Sequence, residues 1–150
     1  MPNLFPVFEM PELVEQQQTA PNPEYPESYL FDFEKGDFVR DAAGRIAVAD
    51  GHRAWVQWCV KTVLTERFAC LAYGWDYGVE TEKAMKQSSR AMIETEIGRT
   101  ITEALLADPR TELVRDFSFK WQADELFVSF TAVPVIGDPA HIEGVRLRAL

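Results

Sequence analysis

The chain has 150 residues, of which 47% are apolar and 26% charged. These values are those of an ordinary globular domain, so a collagen-like, a coiled-coil and a wholly disordered chain are excluded. The length predicts one domain with one core. We find no apolar run near the roughly 18 residues of a membrane helix and no basic leader of a signal peptide. We therefore expect a soluble, non-exported protein with no membrane partner.

The formal charge of −9 is unevenly distributed along the chain. Residues 1–34 contain seven acidic and no basic residues, whereas the remaining 116 residues contain 17 acidic and 15 basic ones. A nearly neutral body behind an acidic segment has no basic stripe that could neutralise phosphates. The charge pattern therefore predicts that the protein has no nucleic-acid partner.

The leading segment, residues 1–28, is predicted to be an extended docking arm. It holds six of the nine prolines, and proline at this density favours an extended, polyproline-like chain. Apolar side chains crowd its first half: Leu4, Phe5, Val7, Phe8, Met10 and Leu13. An arm without its own core must lay such side chains on another surface. We predict that Leu4, Phe5 and Phe8 contact another subunit; the alternative is an arm that folds back on its own domain.

A short meander and a helix are predicted to follow the arm. Alternation over residues 29–34, a turn at residues 35–37 and an apolar segment at residues 46–48 are typical of small antiparallel strands. Residues 52–67 change to a helical period, with Asp50 as the predicted N-cap. The buried stripe of this helix is predicted to be Trp55, Cys59, Thr62 and Val63.

The next stretch is aromatic and contains two glycines, and a second helix follows it. Tyr73, Trp75 and Tyr77 alternate as they would in a strand, which favours core packing over a ligand-stacking face. Ser88 or Ser89 is the predicted cap of a helix that runs to Ala107 and ends at Asp108-Pro109. Its buried face is predicted to comprise Met92, Ile93, Ile97, Ile101, Ala104 and Leu105.

The last third of the chain predicts strands. Residues 114–121 alternate, with Phe117, Phe119 and Trp121 inward, and residues 126–133 return as a more apolar strand. Residues 141–150 suit a further short strand. The predicted class is α+β: a small antiparallel sheet with two main helices and a C-terminal β-hairpin. The arm precedes a domain at residues 29–133, and residues 134–150 form a C-terminal extension.

Candidate chemistry is sparse. His52 and His141 lie in no nucleophile motif, and the spacing of Cys59 and Cys70 matches no zinc site, so we predict buried free thiols. Glu66 with Asp76 is the only acidic pair framed by aromatics, which leaves a small cell-wall glycan hydrolase as an alternative. We otherwise predict no enzyme activity and no catalytic, cofactor-binding or metal-binding residues.

The adjacent charges Glu66 and Arg67 allow two interpretations. In one, Arg67 binds the carbonyls at the end of the first helix and Glu66 is a solvated surface acid. In the other, both residues form fixed ion pairs that lock the following loop or a neighbouring subunit.

The run Leu64–Gly78 is similar to a known family, as are an upstream Leu-Phe-Asp-Phe-Glu segment and a later Glu-Ala-Leu-Leu-Ala-Asp-Pro-Arg. Together they resemble the XkdS-type baseplate proteins of contractile-tailed phages and defective prophages. Those proteins are in turn similar to the baseplate wedge and sheath-initiator proteins once labelled lysozyme-like. The resemblance covers about residues 29–133.

The resemblance implies a structural subunit of a contractile tail baseplate, present in several copies around the tail axis, that helps to initiate or anchor the sheath. In the family a Glu-Pro-Arg-like motif contacts neighbouring wedge subunits; here Glu66 and Arg67 match it without the proline. The implied partners are other wedge subunits and tail sheath or tube proteins, in the virion and, during assembly, in the host cytoplasm. A non-virion tail-assembly adaptor is a further alternative.

The resemblance also implies that strands shared between subunits make the sheath contact. By position, the predicted hairpin and the tail strand are the candidates. Their apolar residues are therefore predicted to contact other subunits: Leu126, Val128, Phe130 and Leu147.

Overall fold

The structure, a computed structural model, describes residues 25–148. Within this range the chain forms three helices: α1 (Gly51–Leu64), α2 (Thr81–Met85) and α3 (Arg90–Leu106). The strands in the same range are β1 (Ser28–Tyr29), β2 (Phe31–Asp32), β3 (Asp37–Phe38), β4 (Val48–Ala49), β5 (Thr111–Gln122), β6 (Glu125–Pro134) and β7 (Ala140–Leu147). The predicted α+β class is confirmed, and the predicted first residues of the arm lie outside the described part.

The main sheet is antiparallel and has the order β5-β6-β7. The predicted hairpin is β5-β6, and the predicted tail strand is β7, which pairs with the other side of β6. The register shifts between Arg115 and Ser118, and Asp116 lies there with a φ of 58°. This bulge inserts an extra residue, so Val114 and Phe117 face the same side despite their spacing of three. As predicted, Phe117, Phe119 and Trp121 pack against the core.

Helix α1 covers the inner face of this sheet. Its buried stripe is the predicted one, Trp55, Cys59, Thr62 and Val63. The predicted N-cap is also confirmed, because Asp50 Oδ1 accepts a hydrogen bond from the Arg53 amide at 2.8 Å. Burial raises the pKa of the Cys59 thiol to about 12, so this thiol is protonated and behaves as a small apolar side chain.

Helix α3 begins after the N-cap Ser89, whose hydroxyl accepts from the Met92 amide, and ends before Asp108 as predicted. The buried face is confirmed except at Met92, which is 49% exposed. Met92 lies four residues before Glu96, on a polar stripe of the helix in which Arg99 pairs with Glu96 and Glu103. That stripe faces away from the sheet, so Met92 shares its exposure.

The predicted meander is confirmed in outline as two pairs of short strands, β1 with β4 and β2 with β3. Helix α1 holds it through one side chain. The Gln57 amide nitrogen donates to the Tyr29 carbonyl at 2.8 Å, and the Gln57 amide oxygen accepts from the Phe31 amide at 2.8 Å. Gln57 therefore takes the place of a neighbouring strand for two backbone groups of the meander.

The folded body includes Tyr25, within the predicted arm. Its hydroxyl donates to the Arg110 carbonyl at 3.3 Å and accepts from the Ile136 amide at 3.1 Å. Tyr25 also packs directly on Gly51, where a Cβ atom would overlap it. The arm therefore joins the body beside the N-terminus of α1. None of the helices in residues 25–148 is long and apolar enough to cross a membrane.

We expect Gln57→Leu to loosen the meander while α1 remains folded. The substitution keeps the apolar stem but leaves a donor and an acceptor without their partner, which costs about 1–3 kcal/mol. Urea unfolding measures this loss, and hydrogen exchange of residues 28–33 should accelerate. Gln122→Leu, at the exposed end of β5, is the matched control. Equal effects of both substitutions would contradict the role given to Gln57.

Candidate functional site

The main exposed apolar feature of the described chain is the stretch of residues 68–76, which we call the aromatic loop. Every residue in it is exposed, including Phe68, Leu71 and Tyr73, and Trp75 is 83% exposed. The predicted strand is wrong here because the backbone forms successive turns. The amides of Ala69, Tyr73 and Tyr77 each donate to the carbonyl three residues earlier.

Two sequence predictions fail on this loop as a result. Core packing is wrong for Tyr73 and Trp75, although Tyr77 is half-buried. The prediction of buried thiols is confirmed for Cys59 but wrong for Cys70, which is exposed on the loop. Contiguous exposed apolar side chains of this kind are typical of a surface that binds another molecule.

Backbone hydrogen bonds close the base of the loop. The Val79 amide donates to the Thr65 carbonyl at 2.9 Å, and the Arg67 amide donates to the Val79 carbonyl at 3.0 Å. Arg67 adds a third bond, since its Nε donates to the Gly78 carbonyl at 3.0 Å. The two ends of the loop are thereby held side by side.

Glu66 attaches the loop base to helix α2. Its two carboxylate oxygens lie 3.4 and 3.3 Å from the Glu82 amide, in the first turn of α2. Burial raises the pKa of Glu66 and outweighs these hydrogen bonds, and the charges of Glu82 and Glu80 add to the increase. Because the pKa of Glu66 is higher in the folded state than its ordinary value of 4.5, the unfolded state loses its proton first. The free energy of unfolding therefore falls as pH rises from about 4.5 to the pKa of the folded state.

The geometry corrects the first interpretation of the Glu66-Arg67 pair and the ion-pair part of the second, while a contact with a neighbouring subunit stays a prediction. Arg67 binds a loop carbonyl and not the end of α1, and Glu66 accepts from a helix amide and is not simply solvated. The ion pairs found among residues 25–148 include neither residue. The pair does lock the loop, but through hydrogen bonds to the backbone.

The inner side of the loop rests on α1. The rings of Tyr73 and Tyr77 are tilted by 36° with centroids 4.5 Å apart, and the Lys61 ammonium lies 5.1 and 5.9 Å from the two centroids. A hydrogen bond with Tyr73 raises the pKa of Lys61. Across the loop, Phe68 and Trp75 meet edge to face at 6.0 Å. These contacts give the loop a defined shape without a core of its own.

The structure places the other predicted contact residues differently. The side chains of Leu126, Val128, Phe130 and Leu147 are buried in the core of this chain. They alternate onto the inner face of the sheet, which α1 and α3 cover, so these side chains are not exposed to a neighbour. Leu4, Phe5 and Phe8 lie outside the described residues. Within the described range, no group of three His, Cys, Asp or Glu residues could hold a metal ion.

Sequence reasoning missed Phe68 and Leu71 as surface residues. The signal that could have found them is Gly78, which has a φ of +93° and would, with a Cβ atom, come within 2.7 Å of the Thr65 carbonyl oxygen. A glycine required at this point indicates that the chain doubles back there, and a closed loop of this kind lies on the surface.

We expect Gly78→Ala to open the base of the loop. The positive φ and the overlap with Thr65 together cost about 1–3 kcal/mol. Gly74→Ala is the matched control, because a Cβ there has nothing within 4 Å. Thermal or urea unfolding measures both variants, and proteolysis within residues 68–76 should increase for Gly78→Ala alone. If both variants were as stable as the parent, the closure would not constrain the loop.

Comparison with known proteins identifies the family of this chain. A family model described as contractile injection system sheath initiator matches residues 27–135. This chain is also 31% identical, over 106 residues, to the phage-like element PBSX protein XkdS of Bacillus subtilis (strain 168). The alignment covers 69% of this chain and 71% of that protein. The residues matched by the family model include the meander, the helices, the aromatic loop and the β5-β6 hairpin. The chain therefore belongs to the sheath-initiator family of contractile injection systems.

Proposed function

We propose that this protein is a wedge component of a contractile phage tail baseplate that helps to initiate or anchor the sheath. Membership of the sheath-initiator family supports a structural role in the tail. The observation that carries the finer proposal is the aromatic loop, whose apolar side chains are exposed although the loop is closed and supported. We assign this loop to the contact with neighbouring baseplate subunits.

The energetics favour that assignment. Burial of one large apolar side chain is worth about 1.5–3 kcal/mol, and Trp and Tyr are enriched among residues that dominate interface affinity. A closed base also reduces the ordering cost of binding, because less chain must be fixed when a partner arrives. In this proposal Glu66 and Arg67 position the loop and do not act only through direct contact with the partner.

We propose a structural role without enzyme activity. Glu66, one of the two carboxylates (with Asp76) on which the glycan-hydrolase alternative depends, accepts hydrogen bonds from the backbone of α2. Its contact is thus explained by the attachment of the loop base. Loss of cell-wall hydrolysis in Glu66→Gln, if the purified parent hydrolysed cell walls at all, would favour the alternative.

The sheath contact is assigned to the main sheet. In the described chain β5 and β7 are its two edges, and an edge strand offers unpaired amides and carbonyls to an added strand. Because the inner face is buried, such a contact uses the backbone of the edges and the outward side chains. We further propose that, in the assembled tail, the arm of one subunit binds a neighbouring subunit.

We expect the double substitution Leu71→Ser and Trp75→Ser to block baseplate assembly while the free protein stays folded. Both side chains are exposed, so their loss changes the free energy of unfolding by less than about 0.5 kcal/mol. Assembly is measured by electron microscopy of tails made with the variant as the only copy. Leu106→Ser, at an exposed position near the end of α3, is the control. Normal tails from the double variant would refute the role of the loop.

The edge contact has its own test. A photo-crosslinking amino acid is placed at Lys120 on β5 or at Glu143 on β7, both of which are exposed. We expect one of these positions to crosslink to the sheath protein in purified tails, and mass spectrometry identifies the product. Gln87, between α2 and α3, serves as the control position. Absence of a sheath crosslink from both edges would contradict strand addition at this sheet.

A further inference from the structure

A second apolar surface lies between the meander and α1. This aromatic groove has a volume of about 400 Å³. It is lined by the rings of Tyr29, Phe31, Phe33, Phe38 and Trp58, with Lys61 at one side. Phe31 meets Phe33 and Phe38 edge to face, each at 5.2 Å between centroids. Tyr29 remains 60% exposed and Phe38 42% exposed, so the groove is open.

We propose that residues 4–13 of the same chain occupy this groove in the free subunit. Proline-rich segments bind aromatic-lined grooves because the polyproline conformation is largely preformed and loses little entropy on binding. Residues 4–13 hold two prolines, Pro6 and Pro11, among apolar side chains that such a groove can bind: Leu4, Phe5, Val7, Phe8, Met10 and Leu13. The proposal concerns the free protein and does not depend on the proposed function.

The path of the chain favours its own arm as the occupant. Ser28 and Tyr29 line the groove, and Tyr25 fixes the preceding chain to Arg110 and Ile136. The residues between 13 and 25 can span about 35–40 Å when extended, which is ample for a return to a groove that begins only three residues beyond Tyr25. A tether of this length gives an effective concentration in the millimolar range, so a weak contact suffices.

Charge supports the same occupant in a modest way. Lys61 lies in the groove, whereas the Arg110 guanidinium, 5.4 Å from the Trp58 ring, is already paired with Asp108. The arm segment carries Glu9 and Glu12 and no basic residue. The acidic residues of the meander are Asp32, Glu34, Asp37 and Asp41, of which Asp32 pairs with Lys35 and Asp41 with Arg45. The apolar contact is therefore the main attraction, and Lys61 is the cation that an acidic arm meets.

The consequence is a groove that is covered before assembly. Exposed aromatic side chains promote non-specific association. A tethered arm covers those of the groove until a competing surface is present. When several copies meet, the same arm could make identical contacts in the groove of a neighbour, as in a domain swap. This gives the arm exchange assigned above a physical route.

The test uses hydrogen exchange on the full-length protein. We expect Phe5→Asp with Phe8→Asp to accelerate exchange of residues 28–39 by about tenfold, because a tethered arm at millimolar effective concentration stabilises its site by that factor when its intrinsic dissociation constant is near 0.1 mM. Gln16→Asp with Gln18→Asp adds the same charge to the arm outside the segment and should change nothing. Unchanged exchange in the first variant, or equal acceleration in both, would overturn the proposal.

A second measurement distinguishes a groove occupied by the arm of the same chain from a groove occupied by the arm of a second copy. Protection of residues 28–39 by the own arm is independent of protein concentration over a roughly hundredfold dilution. Protection that falls with dilution, together with dimers in sedimentation, would overturn the proposal in favour of exchange between copies. The aromatic loop is not altered in either experiment, so failure here leaves the proposed function untouched, and failure of the loop variant to block assembly leaves the groove untouched.

Discussion

The structure depends on helix α1, which makes contacts with other elements on two opposite sides. On one side Trp55 is buried among the sheet residues, and its Nε1 donates to the Thr111 hydroxyl at 3.1 Å, which fixes the helix to the start of β5. On the other side Gln57 and Lys61 hold the meander and the aromatic loop. Because a helix turns 100° per residue, these neighbours in sequence face opposite directions. A tilt of α1 would therefore disturb the core and both candidate surfaces together.

The aromatic loop shows how a surface can be shaped without being buried. Its residues make few apolar contacts with the body, yet its two ends are joined by bonds that involve Thr65, Arg67 and Val79. Hydrogen bonds of this kind contribute about 1 kcal/mol each, which is small beside the burial of the core. Their effect is on conformational entropy, because the closed base limits the shapes that the exposed rings can adopt. Under the proposed function, a partner would therefore meet a surface that is already ordered.

The sequence predicted those features that local physics determines. The stripe around Trp55 and the cap at Ser89 follow from helical period and capping chemistry, and both are confirmed. The sequence could not predict what depends on distant partners. Alternation at Tyr73 and Trp75 fits a strand and a series of turns equally well. The apolar face of β6 shows that something covers Phe130, but not whether that cover is α1 or another subunit. Gln57 has its partners 26 and 28 residues away, and no local pattern reveals them.

In the proposed assembly, the positions of the candidate surfaces would let one small domain contact several neighbours. The arm leaves the body beside Gly51 at the start of α1, and the aromatic loop begins just after Leu64 at its end. A helix of 14 residues separates them by about 20 Å. The edge strands β5 and β7 lie on either side of β6 in the main sheet. The end of β7 lies close to the loop base, since Arg146 and Leu147 line one pocket together with Glu66 and Ala69, whereas the arm leaves at the opposite end of α1. A subunit that must join different partners at one position in an assembly needs this separation more than it needs a larger core.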